Sequence, residues 1–253
     1  MCDVSATADI VAKRTDVLRA LTTPLTKPEL VEALDTSRST VDRAVGALQD
    51  CRLVEREGSR YRVTFAGEEA LAAYEGFLDR LETLLAAQPV LAALDGHVDV
   101  DPAILHGADV VESTRAAPEA PIEHTISLFE GATKFRGTGP AVIPRYIDAM
   151  VGLVERGATV ELVVTQTVAD ALESEYPDGL ADLTDAATLS LFVTDEPMST
   201  AVWTAERPSG TVSGLVTYAD AGISGVVNND TETMNAWAAD QYEAYRESAT
   251  RLD

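Results

Sequence analysis

The chain has 253 residues, with 19 lysines and arginines against 42 aspartates and glutamates, a formal net charge of −23 at pH 7 and 46% apolar residues. Disordered chains this charged are poor in apolar residues, so the apolar fraction excludes that class and predicts one large folded domain or two smaller ones. No apolar run approaches the ~20 residues of a membrane span, and the acidic start Met-Cys-Asp-Val-Ser-Ala-Thr-Ala-Asp-Ile lacks a signal peptide's basic segment, so a soluble, cytoplasmic protein is expected.

Residues 1–87 read as helix, helix, helix, hairpin, helix. Ile10, Val11, Val17, Leu18 and Leu21 recur at helical spacing in a segment that ends near Pro24. A second helix begins at Thr26, where Thr26-Lys27-Pro28-Glu29 matches a capping box, and Leu30, Val31 and Leu34 give it a buried stripe. Asp35-Thr36-Ser37 supplies turn and N-cap chemistry for a third helix with Val41, Ala44, Val45 and Leu48 on one face. Its other face carries Arg38, Ser39, Thr40, Asp42 and Arg43. Leu53–Glu57 and Arg60–Thr64 flank Gly58-Ser59 and predict a two-stranded hairpin. From about Gly67 the period is helical again, and Leu71, Tyr74, Leu78, Leu81 and Leu85 form a short coiled-coil seam, either covering the same chain or pairing with a second copy.

Pro89 and the stretch from Asp95-Gly96 to Pro102 read as a domain junction, giving expected domains of 1–87 and 88–253. Beyond it helices are expected at about 121–133, 141–156 and 167–175, with strands at Thr159–Thr165, Leu189–Thr194, Ala201–Trp203, Thr211–Tyr218 and Gly222–Asn228. Gly137-Thr138-Gly139, before Pro140, reads as a loop. A last helix, capped at Asp230 or Thr231, would bury Met234, Trp237, Ala238, Tyr242 and Tyr245. The fold class is therefore α+β: helices and a hairpin first, joined by a helix to an α/β domain. Cys2 and Cys51 lack metal-site spacing, no metal or cofactor is expected, and Cys51 reads as a small buried residue at a helix end.

Charge is uneven along the chain. Residues 1–87 are net −4 and residues 88–253 net −19, while 38–62 hold six arginines against four acids. Lysine is scarce at three residues, and an acidic, lysine-poor chain fits a salt-rich cytoplasm, where screening over about 3 Å at 1 M removes self-repulsion. The cationic stretch falls on the third helix and the hairpin. A helix that enters the major groove needs short donors and arginines opposite its buried stripe, which points to double-stranded DNA as partner, with Ser37, Arg38, Ser39, Thr40 and Arg43 on the helix and Ser59, Arg60 and Arg62 on the hairpin.

Residues 8–66 resemble the winged helix-turn-helix of archaeal transcriptional regulators, above all Leu30–Leu34, Ser37–Ala44 and Leu53–Arg56. Ala120-Pro121-Ile122, Gly157–Val163 and the helix from Trp237 to Arg246 resemble the C-terminal domain that accompanies it in haloarchaeal and methanogen regulators of the FilR1 type. The resemblance implies a transcription factor, a homodimer as such regulators usually are, with an effector or oligomerisation domain. Related regulators carry a phospholipase-D-like domain, whose chemistry needs His-x-Lys-x4-Asp. Asp99, Ala108 and Ile126 stand two residues after His97, His106 and His124, so that motif is absent and no enzyme is expected.

Scarce cations make His124, Lys134, Arg136 and Arg145, with Tyr146, candidates for a small-molecule pocket, with an anionic effector as one reading. Pairing of the same groups with nearby carboxylates is the other. The functional expectation is a DNA-binding regulator whose C-terminal domain senses a small ligand, or else an adaptor whose C-terminal domain only dimerises or docks a protein.

Overall fold

The computed structural model describes residues 3–94, 100–176, 188–219 and 222–252. Cys2 and the expected junction at Asp95-Gly96, with His97, lie outside them. The chain divides into two units, 1–81 and 82–253.

In the first unit, α1 (Val4–Ala20, kinked at Arg14), α2 (Lys27–Ala33) and α3 (Arg38–Asp50) precede a hairpin of β1 (Val54–Glu57) and β2 (Arg60–Val63). The capping box is formed in full: the Thr26 oxygen accepts from the Glu29 N–H, and the Glu29 carboxylate accepts from the Thr26 N–H at 2.7 Å. Leu18, Leu21, Leu30, Val41, Val45 and Leu48 are fully buried and pin the three helices together. Leu25 and Tyr61 exchange backbone hydrogen bonds, so the hairpin gains a third short partner beside α2. The first unit thus sets three helices beside a two-stranded hairpin, in the expected chain order.

α4 runs from Phe65 to Leu91. Leu71 is buried in the first unit, but Phe77, Leu78, Leu81, Leu84 and Leu85 are 37–61% exposed. The predicted seam is thus an open apolar stripe for most of its length. Cys51 caps the C-terminus of α3; it is half-buried and is not a free thiol, which corrects the expectation of an unbonded buried residue.

The second unit is an eight-stranded sheet, in order β10-β6-β5-β4-β7-β8-β9-β3. Its strands are β3 (Asp109–Glu112), β4 (Lys134–Gly139), β5 (Thr159–Thr165), β6 (Leu189–Thr194), β7 (Thr200–Arg207), β8 (Gly210–Ala219), β9 (Gly222–Asn229) and β10 (Thr250–Arg251). β4, β5 and β6 are parallel, and β7, β8 and β9 form an antiparallel meander. One face is covered by α5 (Ala120–Phe129), α6 (Pro144–Glu155) and α7 (Gln166–Glu175); the other by α8 (Glu232–Ser248), the end of α4 and a 3-10 turn at Pro102–Leu105. Alternation divides each strand between the two cores: Val160 and Val164 face α5–α7, while Val163 faces α8. Burial on both sides explains why these strands read as nearly continuous apolar runs.

Gly137-Thr138-Gly139 lies in the central strand β4, which corrects its reading as a loop. Its glycines look like a break in the sequence but make room for bulk from elsewhere. A Cβ at Gly137 would press on the Phe135 ring and Trp203, and one at Gly214 would overlap the Trp203 indole and the Asn228 side chain. The Trp203 indole lies across that space, stacked on Phe135 at 6.1 Å and edge-on to Phe129 at 5.9 Å. Gly214→Ala is therefore expected to lower the free energy of unfolding by about 1–3 kcal/mol in a denaturant titration. Gly46→Ala in α3, where an added methyl meets nothing within 4 Å, is expected to raise it by up to about 1 kcal/mol.

Candidate functional site

Ser37 is the N-cap of α3, and its oxygen accepts from the Thr40 N–H at 3.2 Å. The Ser39 and Thr40 hydroxyls each lie 2.9 Å from it, so three hydroxyls gather at the positive end of the helix dipole. Arg38 and Arg43 are exposed on the same stretch, and the Arg43 Nε donates to the Ser39 carbonyl at 3.2 Å. Among the described residues neither guanidinium has an ion pair. Asp42, between them, is engaged at 2.7 Å by Lys27 of α2. That hydrogen bond holds the Asp42 carboxyl below the usual carboxylate range and the Lys27 ammonium above its own.

On the hairpin, Ser59 sits exposed at the tip. Arg60 turns back to the Pro24 carbonyl at 2.7 Å and to Glu29 at 3.2 Å, and Arg62 pairs with Glu55 at 2.7 Å. Glu29 is held below the carboxylate range first by the Thr26 N–H, then by the Thr26 hydroxyl, with Arg60 adding less. Five of the eight predicted contact residues therefore share the start of α3, while Arg60 and Arg62 are tied down within the unit. Arg56 was missed. Its Nε donates to the Gly58 carbonyl at 2.8 Å, its guanidinium lies 5.8 Å from the Tyr61 ring centre, and it has no ion pair among the described residues. Its place inside the cationic stretch was the available signal.

The five residues proposed for a pocket lie in different places. Lys134 and Arg136 are on β4, and Arg136 points toward α8, between Glu161 at 3.6 Å and Glu243 at 3.4 Å and over the Tyr242 ring. Lys134 pairs with Glu206 at 3.5 Å. The Tyr242 hydroxyl donates to Glu161 at 3.2 Å, and burial, reinforced by that carboxylate, pushes the phenol up. Arg145 at the start of α6 bridges to Glu119 and Glu123 of the α5 end. The His124 Nε2 is buried with no hydrogen-bond partner among the described residues. Of the five, Tyr146 lines a cavity formed by described residues of this unit.

That cavity, of about 110 Å³, lies between the sheet and helices α5, α6 and α7. Its floor includes Phe135, Gly137, Trp203 and Val216, its roof Met150, Val168 and Leu172. The connection Ala141-Val142-Ile143, exposed to half-buried, borders it beyond the C-terminal end of β4. Sites outside the carboxyl ends of parallel strands are where α/β sheets hold ligands. The polar side chains there include Thr125, Tyr146 and Tyr218, and among the described residues no Asp, Glu, Lys, Arg or His lines it. Thr125 is 2% exposed, and among the described residues neither its hydroxyl nor the Tyr146 phenol has a hydrogen bond of good geometry. Burial pushes Tyr146 up to about 12, with the nearby Thr125 hydroxyl opposing slightly; Tyr218 is raised further, by burial and by Tyr146. The remaining lining is indistinguishable in sequence from ordinary core, so only the phenol could have been picked out. Among the described residues no group of three or more His, Cys, Asp or Glu could hold a metal, and no helix is long and apolar enough to cross a membrane.

Residues 118–248 match the family described as the middle domain of the methanogenesis regulatory protein FilR1, and residues 3–86 match the HVO_A0261 N-terminal domain. No curated protein matches the chain. Among solved structures, TrmBL2, an archaeal chromatin protein, aligns over 99% of this chain and 100% of its own at 14% identity and a TM-score of 0.46. Nuc, a phospholipase D family member from Salmonella typhimurium, aligns over 57% of this chain and 97% of its own at 11% identity and a TM-score of 0.43.

The raised phenol has a pH signature. Folded Tyr146 keeps its proton to about 12, whereas the unfolded chain gives it up near the ordinary value of about 10. Its contribution to stability is complete below about 10 and lost as pH climbs toward about 12, by at most about 1.4 kcal/mol per pH unit. Tyr146→Phe should flatten this decline when denaturant midpoints are followed over that range. An unchanged slope would place the phenol in contact with water.

Proposed function

The chain belongs to the FilR1 middle-domain family, and from that premise we propose that it is a DNA-binding transcriptional regulator of archaeal type, acting in a salt-rich cytoplasm, not an enzyme, with a C-terminal domain that senses a small molecule. The observation that carries DNA binding is the start of α3: three hydroxyls around a helix N-terminus, flanked by Arg38 and Arg43, with the one intervening carboxylate already held by Lys27. The helix donors and hydroxyls suit phosphates, and the arginines reach base edges or backbone. Ser59 and Arg56 extend the surface onto the hairpin. Ligand sensing is supported by the cavity in the second unit, and by the general requirement that an effector bind two states of such a protein with different affinity.

The second reading is an adaptor whose C-terminal domain only dimerises or docks a protein. The α4 stripe favours pairing: Phe77, Leu78, Leu81, Leu84 and Leu85 are exposed within an arc of about 120° at 100° per residue. Two copies would also match the paired half-sites that helix-turn-helix proteins read. The two readings are compatible in their first unit and differ in whether the cavity is used.

Arg38→Ala and Arg43→Ala are each expected to weaken retention of DNA from the chain's own upstream region by about tenfold and to reduce the salt slope by about one, with the unfolding midpoint unchanged. Arg145→Ala, in the second unit, should leave retention as it was. Retention that survives loss of both arginines would remove α3 from the interface. Replacing Leu78 and Leu85 together by glutamate should halve the mass measured by light scattering in molar KCl; a monomeric parent would end the pairing proposal.

A further inference from the structure

We propose that the cavity between the sheet and α5–α7 binds a small, uncharged, mainly apolar molecule bearing one hydroxyl or carbonyl group, with the Thr125 hydroxyl and the Tyr146 phenol holding its polar end. This deepens the sensing reading above and rests on it for its regulatory meaning.

Three observations carry it. The volume of about 110 Å³ is of the order that accepts a benzene-sized guest, roughly six to nine non-hydrogen atoms. The walls are aromatic and aliphatic, with Phe135 and Trp203 presented as a stacked pair on the floor. Two hydroxyls border this space; they lie near one another, but among the described residues neither has a hydrogen bond of good geometry, and one belongs to a threonine that is only 2% exposed. Buried polar groups are nearly always satisfied, so a pair of them left open beside an apolar void marks the place of a missing partner. A hydroxyl or carbonyl supplies that partner, since threonine and tyrosine both donate and accept.

The same lining excludes an anion. A carboxylate or phosphate entering the cavity would shed its hydration with no cation among the described lining residues to offset the loss. Lys134, Arg136 and Arg145 cannot serve. The first two leave β4 on the strand positions that alternate with Phe135 and Gly137, with Arg136 directed toward α8, and all three already face carboxylates. The raised phenols agree: this environment disfavours negative charge. The border at Ala141-Val142-Ile143 is uncharged as well.

The test is fluorine NMR on the full chain in molar KCl with three probes of one shape: para-fluorobenzyl alcohol, para-fluorotoluene and para-fluorobenzoate. The alcohol should bind saturably, and the benzoate at least about tenfold more weakly. Thr125→Val and Tyr146→Phe should each weaken the alcohol by about tenfold and leave the toluene unchanged. Ala201→Leu, which fills the cavity, should abolish binding of both while circular dichroism stays that of the parent; the two milder variants decide the matter if this one does not fold. Benzoate binding as tight as the alcohol, alcohol binding indifferent to both hydroxyl deletions, or no saturable binding to a folded chain would each overturn the proposal. A gel-shift run in parallel keeps the two readings apart. DNA retention without alcohol binding overturns the ligand class alone, whereas alcohol binding without DNA retention supports the ligand class and removes the regulator.

Discussion

Carboxylates outnumber cations by 42 to 19 in this chain, so the default fate of an arginine or lysine on its surface is to be paired. That constraint governs both units. In the first, Lys27 takes Asp42, Arg62 takes Glu55 and Arg60 takes Glu29, and these pairings strip negative charge from the surface around α3. Exposed ion pairs of this kind contribute little stability, about 0–1 kcal/mol each. Their consequence is electrostatic: with Asp42 held first by Lys27, Arg38 and Arg43 stay exposed and make no ion pair among the described residues. In the second unit the same excess consumes Lys134, Arg136 and Arg145, and the cavity nearby is left to apolar and hydroxyl groups. One imbalance thus produces a surface fit for an anion in one place and a cavity unfit for one in the other.

The cavity owes its shape to a second constraint, the burial of the sheet on both faces. A strand covered on each side must fit bulk against bulk, and β4 and β8 meet this with Gly137, which makes room for the Phe135 ring and the Trp203 Cβ, and Gly214, which makes room for the Trp203 indole. The aromatic floor is therefore set by backbone positions two strands apart, with Phe129 of α5 packed edge-on against both of its rings. The roof differs. α6 and α7 present aliphatic side chains and a phenol to the floor, and a void persists where they fail to close on it. Interiors of this density seldom leave such gaps, and those they leave among apolar groups remain available to a guest.

Legibility in the sequence followed the range of the interactions. The three N-terminal helices and the hairpin were readable because their signals are local: the capping box at Thr26, the Ser37 cap, the Gly58-Ser59 turn. β4 was not, because its Gly137 is answered by Trp203, a cross-strand neighbour 66 positions further along the chain, and that is a fact of pairing and not of composition. The charged candidates misled for the same cause. Scarcity of cations drew attention to Arg136, but its partner Glu243 is 107 residues away, and nothing in the intervening sequence announces the pairing. Thr125 carried no signal at all; a threonine on a helix is unremarkable until the space beside it is known to be empty.

Salt joins the two sites. Phosphate contacts lose affinity steeply as ionic strength rises, so in the salt-rich setting proposed for this chain a broad cationic face would be nearly useless on DNA. Short-range contacts at α3, where hydroxyls and helix N–H groups meet the backbone at hydrogen-bonding distance, are the kind that persist when the screening length falls to about 3 Å. Recognition of an effector faces the same limit: an anionic ligand would compete with molar counter-ions at every cation that might hold it. A neutral molecule held by apolar contact and two hydroxyls avoids that competition, because burial of apolar surface does not weaken as salt screens charge. On this argument the uncharged side chains of the described cavity lining and the small number of arginines on α3 without an ion pair among the described residues are two answers to one solvent.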